Sequence, residues 1–583
     1  MTSPLIKLKS CTSKPDLARL LKLDPVFLTR VVYIRNTDNL YTDFSIKKKN
    51  GTNRIISAPD SELKEIQSKL SKLLQDCLDD IRESLKLNNT ISHGFERKKS
   101  IITNAEKHRR RKWVLNLDLS NFFDEFNFGR VRGYFLKNKN FLLDETICNL
   151  IAKIACYNNR LPQGSPCSPV ITNLILFSLD QRLNKICKSV GCTYTRYADD
   201  ITISTNKSFF PTKIVTSHDN ESIVLNKKFL KEITSSGFSL NEDKIRLHNK
   251  TYRQEVTGLT VNEFVNVNAR YARKVRAMVH CLFKNGSFNL IDKKTRETRQ
   301  GTINELTGML GFIDSLDKYN NKNILKYNNK YKNLKHNKRE KLYADFLYYK
   351  AFHANTKPTI LTEGKTDITY LRVALNSLVK YYPSLIEKKQ INKNSICDYK
   401  IKFFKNSEKT KYFLELDGGT GSLNKFICNF DKKSKKYKHI ENTNPVIIIL
   451  DNDSGSTGKG GIFANLSSER FPMITLSIDE LRNEKWIWVM QNLYIIYTPL
   501  NGAKESAMED LFDEKTLATQ LGGKFFNKTN KTCTGNQYGK EAFATGVVLK
   551  QRKNIDFSGF SSIFDSVVEI IEHHNNIKQS LLN

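Results

Sequence analysis

The chain of 583 residues lacks long hydrophobic runs. Its uninterrupted apolar segments, such as VIIIL at 446–450, fall far short of the roughly 20 residues that span a bilayer. The opening MTSPLIKLKSCTSK has no apolar stretch of the kind a secretion signal carries, so the expected location is the cytoplasm, with no membrane association. Eleven cysteines are present without a CxxC pair, and only Cys187 and Cys192 lie near each other. That argues against both a disulfide framework and a zinc site and leaves most of them reduced and buried. Acidic residues are also in deficit: 60 Asp and Glu stand against 94 Lys and Arg, a formal charge of +34 with pI near 9.6. The simplest use of such a field is to hold a polyanion through phosphate contacts and counterion release, with an anionic membrane surface as the alternative. No internal repeat is present.

What is there suffices for folding. Hydrophobic content of 39% and aromatic content of 10% can build ordinary cores, and the length exceeds what one core usually supports, so two or more domains are expected. Strand-like runs occur at 112–119 (KWVLNLDL), 193–197, 201–205 and 446–450. In SELKEIQSKLSKLLQDCLDDIRESL the residues Leu63, Ile66, Leu70, Leu73, Leu74, Cys77 and Ile81 share one helical face. Basic residues interleave with tyrosines over 317–342, which suits either a solvated helix face or backbone tracking of nucleic acid.

YADD at 197–200 could be no more than a hairpin turn, since Asp favours turns. Other segments change that reading. Asp118 ends KWVLNLD, and alternation could aim its carboxylate toward Asp199 and Asp200. Three converging carboxylates repel one another unless cations intervene, and hard oxygen ligands suit two Mg²⁺ ions roughly 3.5 to 4 Å apart. Adjacent aspartates need a tight turn to approach the same ions, and Asp199 is expected to coordinate more directly than Asp200. Between them LPQGSPCSPVITN places Gln163 and Gly164 in a loop of little side-chain bulk, open to a base pair, with a packed helix behind it. Upstream, KKKNGTNRIISAP reads as a Gly-tipped basic hairpin, either an ordinary exposed turn or a place where Arg54 forks onto a triphosphate.

Basic hairpin, Asp118, QGSP, YADD and GFSLNEDKIRL at 237–247, in that order, resemble the fingers and palm of a reverse transcriptase. NAEKH at 104–108 fits NAxxH, and Val256, Thr257 and Gly258 spell VTG, so the closer resemblance is to the bacterial retron reverse transcriptases. It implies Asp118, Asp199 and Asp200 as catalytic metal ligands, and Arg54, Phe123, Gln163, Gly164 and Tyr197 as nucleotide and template contacts. Phe123 would be the steric gate against a 2′-hydroxyl, though a core aromatic is an equal reading. Asn104, His108, Val256, Thr257 and Gly258 would recognise the retron RNA. The activity implied is copying of a cognate structured non-coding RNA into branched RNA–DNA (msDNA), with dNTPs as substrates and an internal guanosine 2′-hydroxyl as primer, in a bacterial cytoplasm. No segment resembles an RNase H domain, so another protein would remove the template RNA.

More than two hundred residues follow residue 345. PTILTEGKTDITYLRVAL reads as strand, loop and helix, with Glu363 and Asp367 at the strand's carboxyl end. NPVIIILDNDSGSTGKGG repeats the pattern with Asp451 and Asp453 one residue apart, and KESAMEDLF adds Glu505, Glu509 and Asp510. EGKTD with DND resembles the Toprim domain of topoisomerases, primases and related nucleases. GSTGKGG lacks P-loop spacing. By the resemblance, Glu363 is a general acid/base or ligand and Asp451 and Asp453 hold Mg²⁺ or Mn²⁺, while Lys540 could offset phosphate charge or simply be solvated. Asp367 could equally serve a helix N-terminus. The implied effector is a metal-dependent nuclease acting on DNA or RNA, held in check by msDNA and released in anti-phage defence. Alternatives are a non-catalytic nucleic-acid-binding module, or a group II intron-like maturase for the whole chain.

The expected architecture is an α+β right-hand polymerase followed by an α/β Toprim domain with a small parallel sheet. The boundaries are fingers and palm 1–260, thumb 261–350, linker 351–357, Toprim 358–530 and a helical extension 531–583, with homo-oligomerisation possible.

Overall fold

The computed structural model describes residues 3–47, 51–86, 91–218, 223–292, 295, 297–324, 336–391, 394–439, 444–458, 461–529 and 535–582. Much of the basic stretch 317–342 therefore lies outside the described residues. No described helix is long and apolar enough to cross a membrane.

Two units form, one of Met1–Arg273, Ile291–Arg299 and Gly311–Lys330, the other of Lys274–Leu290, Gln300–Leu310 and Tyr331–Asn583. The expected thumb, 261–350, is thus no separate body, because its helices Ala269–Asn285 and Ile303–Tyr319 each contain a unit boundary. The expected linker, 351–357, begins within a helical turn. That turn continues to His353 with Ala351 and Phe352 buried, and an apolar pair that can be buried is not left in water.

In the first unit, β1 (Tyr41–Lys47) and β2 (Asn53–Pro59) pair as the expected hairpin, whose Gly51 has φ +87°. Helix α1 (Ser61–Ser84) starts where the Asp60 carboxylate accepts from Leu63 N at 2.8 Å, and it buries the predicted face, with Gln67 added. The central sheet is antiparallel and carries the site. It consists of β3 (Trp113–Asp118), β4 (Thr193–Tyr197), β5 (Asp200–Thr205) and β6 (Arg246–Asn249), in the order β4-β5-β3-β6. Val114, Leu115 and Leu117 of β3 are buried, and α3 (Ser168–Ser189) packs on β4.

In the second unit five strands form one sheet. They are β7 (Thr359–Thr362), β8 (Lys402–Phe403), β9 (Val446–Leu450), β10 (Ile487–Met490) and β11 (Leu493–Tyr497), in the order β8-β7-β9-β11-β10. All pairs are parallel except β10 with β11. All five residues of β9 are buried, as a central parallel strand requires. The C-terminal helix Ser561–Leu582 contributes Ile563, Phe564, Val567 and Ile570 to the same core. It thus shares the core of this unit.

Candidate functional site

Strand β3 delivers Asp118 and the β4–β5 turn delivers Asp199. Across the sheet Asp118 pairs with Asp200 and Leu117 with Ile201, so the aspartate pair sits at the same end as Asp118. Ala198 makes the turn with φ +56°, and Leu119 N donates to Asp199 O at 3.1 Å. Asp118, Asp199, Arg54, Phe123 and Gln163 line one cleft of about 650 Å³. Asp200 and Tyr197 instead line a neighbouring cavity of about 400 Å³, with Asn116, Thr257 and Gly258.

The carboxylates feel one another. Burial, then repulsion by Asp199 and Asp118, pushes Asp200 up to about 7. Burial raises Asp199 as well; Asp118 adds to the rise, while Lys244 and Arg54 oppose it. Lys244 Nζ lies 2.8 Å from Asp118 Oδ2, supplying the positive charge such a cluster needs. Among the described residues no group of three or more ligating side chains is gathered closely enough to hold a metal ion. Hard oxygen donors held near one another against repulsion nonetheless match Mg²⁺ chemically.

Arg196 and Asp180, which no sequence motif marks, form a buried ion pair behind the turn. The Arg196 side chain is 0% exposed and that of Asp180 4%. Arg196 donates Nε to Asp180 Oδ1 at 2.9 Å and Nη2 to Oδ2 at 2.8 Å, and Nη1 to the Ala198 carbonyl at 2.9 Å. Tyr194 Oη also donates to Asp180 Oδ1, at 2.8 Å. The left-handed turn that presents Asp199 is thus tied to helix α3. The available signal was an arginine inside a strand (TYTRY) whose neighbours are buried.

Gly164 has φ +138°, and a Cβ there would lie 2.4 Å from the Ser57 carbonyl oxygen. Within the chain, the close approach that demands glycine is to strand β2. Phe123 is half-buried, edge-on to Phe122.

Asn104 and His108, expected at the RNA surface, are both 0% exposed. Thr195 Oγ1 donates to Asn104 Oδ1 at 2.6 Å, so it accepts from His108 Nε2 at 2.7 Å, and His108 Nδ1 then accepts from Ser204 Oγ at 2.8 Å. Burial keeps the imidazole neutral, lowering its pKa to about 3. Side chains without exposed surface cannot touch RNA. They bolt helix α2 (Ile101–Glu106) and its end to both strands of the YADD hairpin. Val256 is buried too, whereas Thr257 (φ +47°) and Gly258 (φ +79°) form an accessible turn, with Thr257 Oγ1 donating to Ile101 O at 3.3 Å.

In the second unit Glu363 and Asp451 follow adjacent parallel strands, with Thr362 of β7 beside Ile449 of β9, so both acids lie at the carboxyl ends. Glu363 Oε1 accepts from Thr420 Oγ1 at 2.7 Å, while its Oε2 is buried with no hydrogen-bond partner among the described residues. Burial, then Asp367, Glu509 and Glu363, raises Asp451 to about 7; Glu363 is raised by burial, then by Asp453 and Asp367. A buried carboxylate oxygen with no hydrogen-bond partner among the described residues, set among repelling acids, matches a hard cation chemically, although Glu363, Asp451 and Asp453 are not gathered closely enough here to form a metal site.

The remaining candidates divide. Asp367 accepts from Gly364 N at 2.7 Å and closes the first turn of helix α4 (Lys365–Ser377). Glu505 Oε1 accepts from Ser454 N at 2.9 Å beside the DND loop, and Asp510 accepts from Ala507 N at 2.8 Å and pairs with Lys528. Glu509, fully buried, pairs with Lys540 at 2.9 Å. Lys540 is therefore committed to an internal partner rather than solvated.

The profile of the family described as reverse transcriptase (RNA-dependent DNA polymerase) matches residues 46–261. The retron Ec86 reverse transcriptase of Escherichia coli is 30% identical over 316 residues, covering 54% of this chain and 87% of that protein. The retron Mx162 reverse transcriptase of Myxococcus xanthus is 31% identical over 329 residues, covering 52% of this chain and 64% of that one. For the retron Mx65 enzyme of the same organism the figures are 31% over 259 residues, 41% and 55%. With Asp118, the QGSP loop and the YADD hairpin all inside the matched region, and 87% of the Ec86 enzyme covered at 30% identity, the chain belongs to the retron reverse transcriptases.

Proposed function

We propose that the first unit is an RNA-directed DNA polymerase that copies a cognate structured RNA into msDNA from an internal guanosine 2′-hydroxyl. The observation that carries this reading is the single cleft lined by Asp118, Asp199, Arg54, Phe123 and Gln163. Mg²⁺ bound at the aspartates would supply activation of the attacking hydroxyl and charge for the departing pyrophosphate. The chain's own part is positioning: Arg54 offers a guanidinium to the triphosphate, Phe123 lines the cleft as the gate against a 2′-hydroxyl, and Arg196 fixes the turn that presents Asp199.

The second unit we read as a Toprim-like effector that hydrolyses phosphodiesters with Glu363, Asp451 and Asp453, and is restrained by msDNA until infection. The shared carboxyl edge of β7 and β9 and the unpartnered Glu363 Oε2 support it. Asp199→Ala should abolish DNA synthesis in primer extension while RNA binding persists. Glu363→Ala should leave synthesis intact and remove growth arrest. Arrest by that variant once msDNA is withdrawn would instead favour a non-catalytic binding module.

A further inference from the structure

Helix Thr420–Ser434 places Lys425, Asn429, Lys432 and Lys433 at i, i+4, i+7 and i+8, one face of an α-helix, and Lys436 follows just past its end. With Leu414, Glu415 and Phe426 these residues line a cavity of about 250 Å³. A lysine-rich helix face is ordinarily a solvated one. Lys433 departs from that pattern. It is half-buried, with Nζ 5.2 Å from the centroid of the Tyr348 ring, and burial holds its pKa below the ordinary lysine value against the pull of Glu415 and Asp345. Among the described residues Lys433, Lys425 and Lys432 form no ion pair, whereas Lys436 is paired with Asp345 at 2.7 Å. A partly desolvated ammonium group with no ion-pair partner is costly, and an external anion seated against it would offset that cost.

The shape selects the anion. The cavity is smaller than the roughly 300 Å³ at which pockets begin to enclose whole small molecules. Lys425 and Lys432 are separated by seven residues, about 10 Å along the axis, so the cations form a line rather than a cup. We propose that this pocket binds the phosphodiester backbone of a polynucleotide, with one phosphate seated at Lys433 and its neighbours neutralised by Lys425 and Lys432. The same helix begins at Thr420, which bonds Glu363, so a strand held here runs along the element that leads to the carboxylate centre. The inference concerns binding alone and stands whether or not that centre hydrolyses anything.

The test uses the full chain and a fluorescent single-stranded DNA 30-mer, titrated at several salt concentrations. Replacing Lys425, Lys432 and Lys433 together by Gln should reduce the slope of log affinity against log salt by about 2, at about 0.7 per contact on a single strand. Affinity at 100 mM salt should fall at least tenfold, with primer extension at saturating template unchanged. In the unaltered protein, acylation of Lys433 by an amine reagent, quantified by mass spectrometry, should be suppressed several-fold by the 30-mer. An unchanged slope, or Lys433 labelling indifferent to the 30-mer yet suppressed by poly-glutamate, overturns the proposal, the latter in favour of an acidic protein partner. The labelling measurement decides the matter even if the triple variant misfolds.

Discussion

Replacing Asp180 by Asn leaves Arg196 buried beside a neutral amide, with no exposed surface through which water could solvate the guanidinium. Breaking one partner of a buried pair costs about 3 to 5 kcal/mol. At 1.36 kcal/mol per tenfold, amide exchange of peptides spanning β3, β4 and β5 should accelerate between roughly a hundredfold and several thousandfold, a readout local to the first unit. Replacing the group as a whole, with Asp180→Leu, Arg196→Met and Tyr194→Phe, removes both charges and the hydroxyl that Asp180 accepts from, so protection should largely return. Activity should not return. Without Nη1 on the Ala198 carbonyl the left-handed turn is unsupported, and misplacing Asp199 by about an ångström costs on the order of a hundredfold in kcat. A repacked variant with wild-type kcat would refute the claim that Arg196 positions the catalytic turn. Near-native exchange in Asp180→Asn would refute the energetics.

Three further outcomes follow from the geometry. In metal-free protein Asp200 titrates near 7 when folded and near 3.8 when unfolded, so the native state binds more protons and stability falls as pH rises between those values; Asp200→Asn should be more stable than wild type at pH 8 and lose that advantage toward pH 4, measured by melting at each pH. His108→Ala strands the hydroxyls of Thr195 and Ser204 and should lower the melting temperature and kcat while leaving RNA affinity within about twofold in a filter-binding assay; a selective loss of RNA affinity would restore the recognition role. Gly164→Ala forces a Cβ against the Ser57 carbonyl and should destabilise by more than about 1 kcal/mol and weaken synthesis, whereas Gly258→Ala, whose Cβ meets open space, should act only through its backbone conformation.

Local chemistry was legible wherever a short segment determines its own structure. The α1 face, β3, β9, the Gly51 hairpin and the order of the polymerase motifs follow from periodicity and turn residues, which act over a few positions. The acids that end β3, β7 and β9 were legible for the same reason, since a strand's end is set locally. What could not be read was which polar side chains face one another across the fold. Nothing near Asn104 or His108 in the chain announces that Thr195 and Ser204, some ninety residues away, will take up their hydrogen bonds and leave them no surface for RNA. Gly164 needs its missing side chain because of Ser57, and Lys540 is occupied because Glu509 is buried against it. Similarly, Asp180 and Arg196 look like two ordinary charges until α3 packs on β4. Strands, helices and the carboxylates at their ends depend on near neighbours and are therefore written in short segments of the chain. Which polar groups are satisfied internally and which remain for a ligand is set by packing, because burial and pairing depend on what distant parts of the chain bring to each surface.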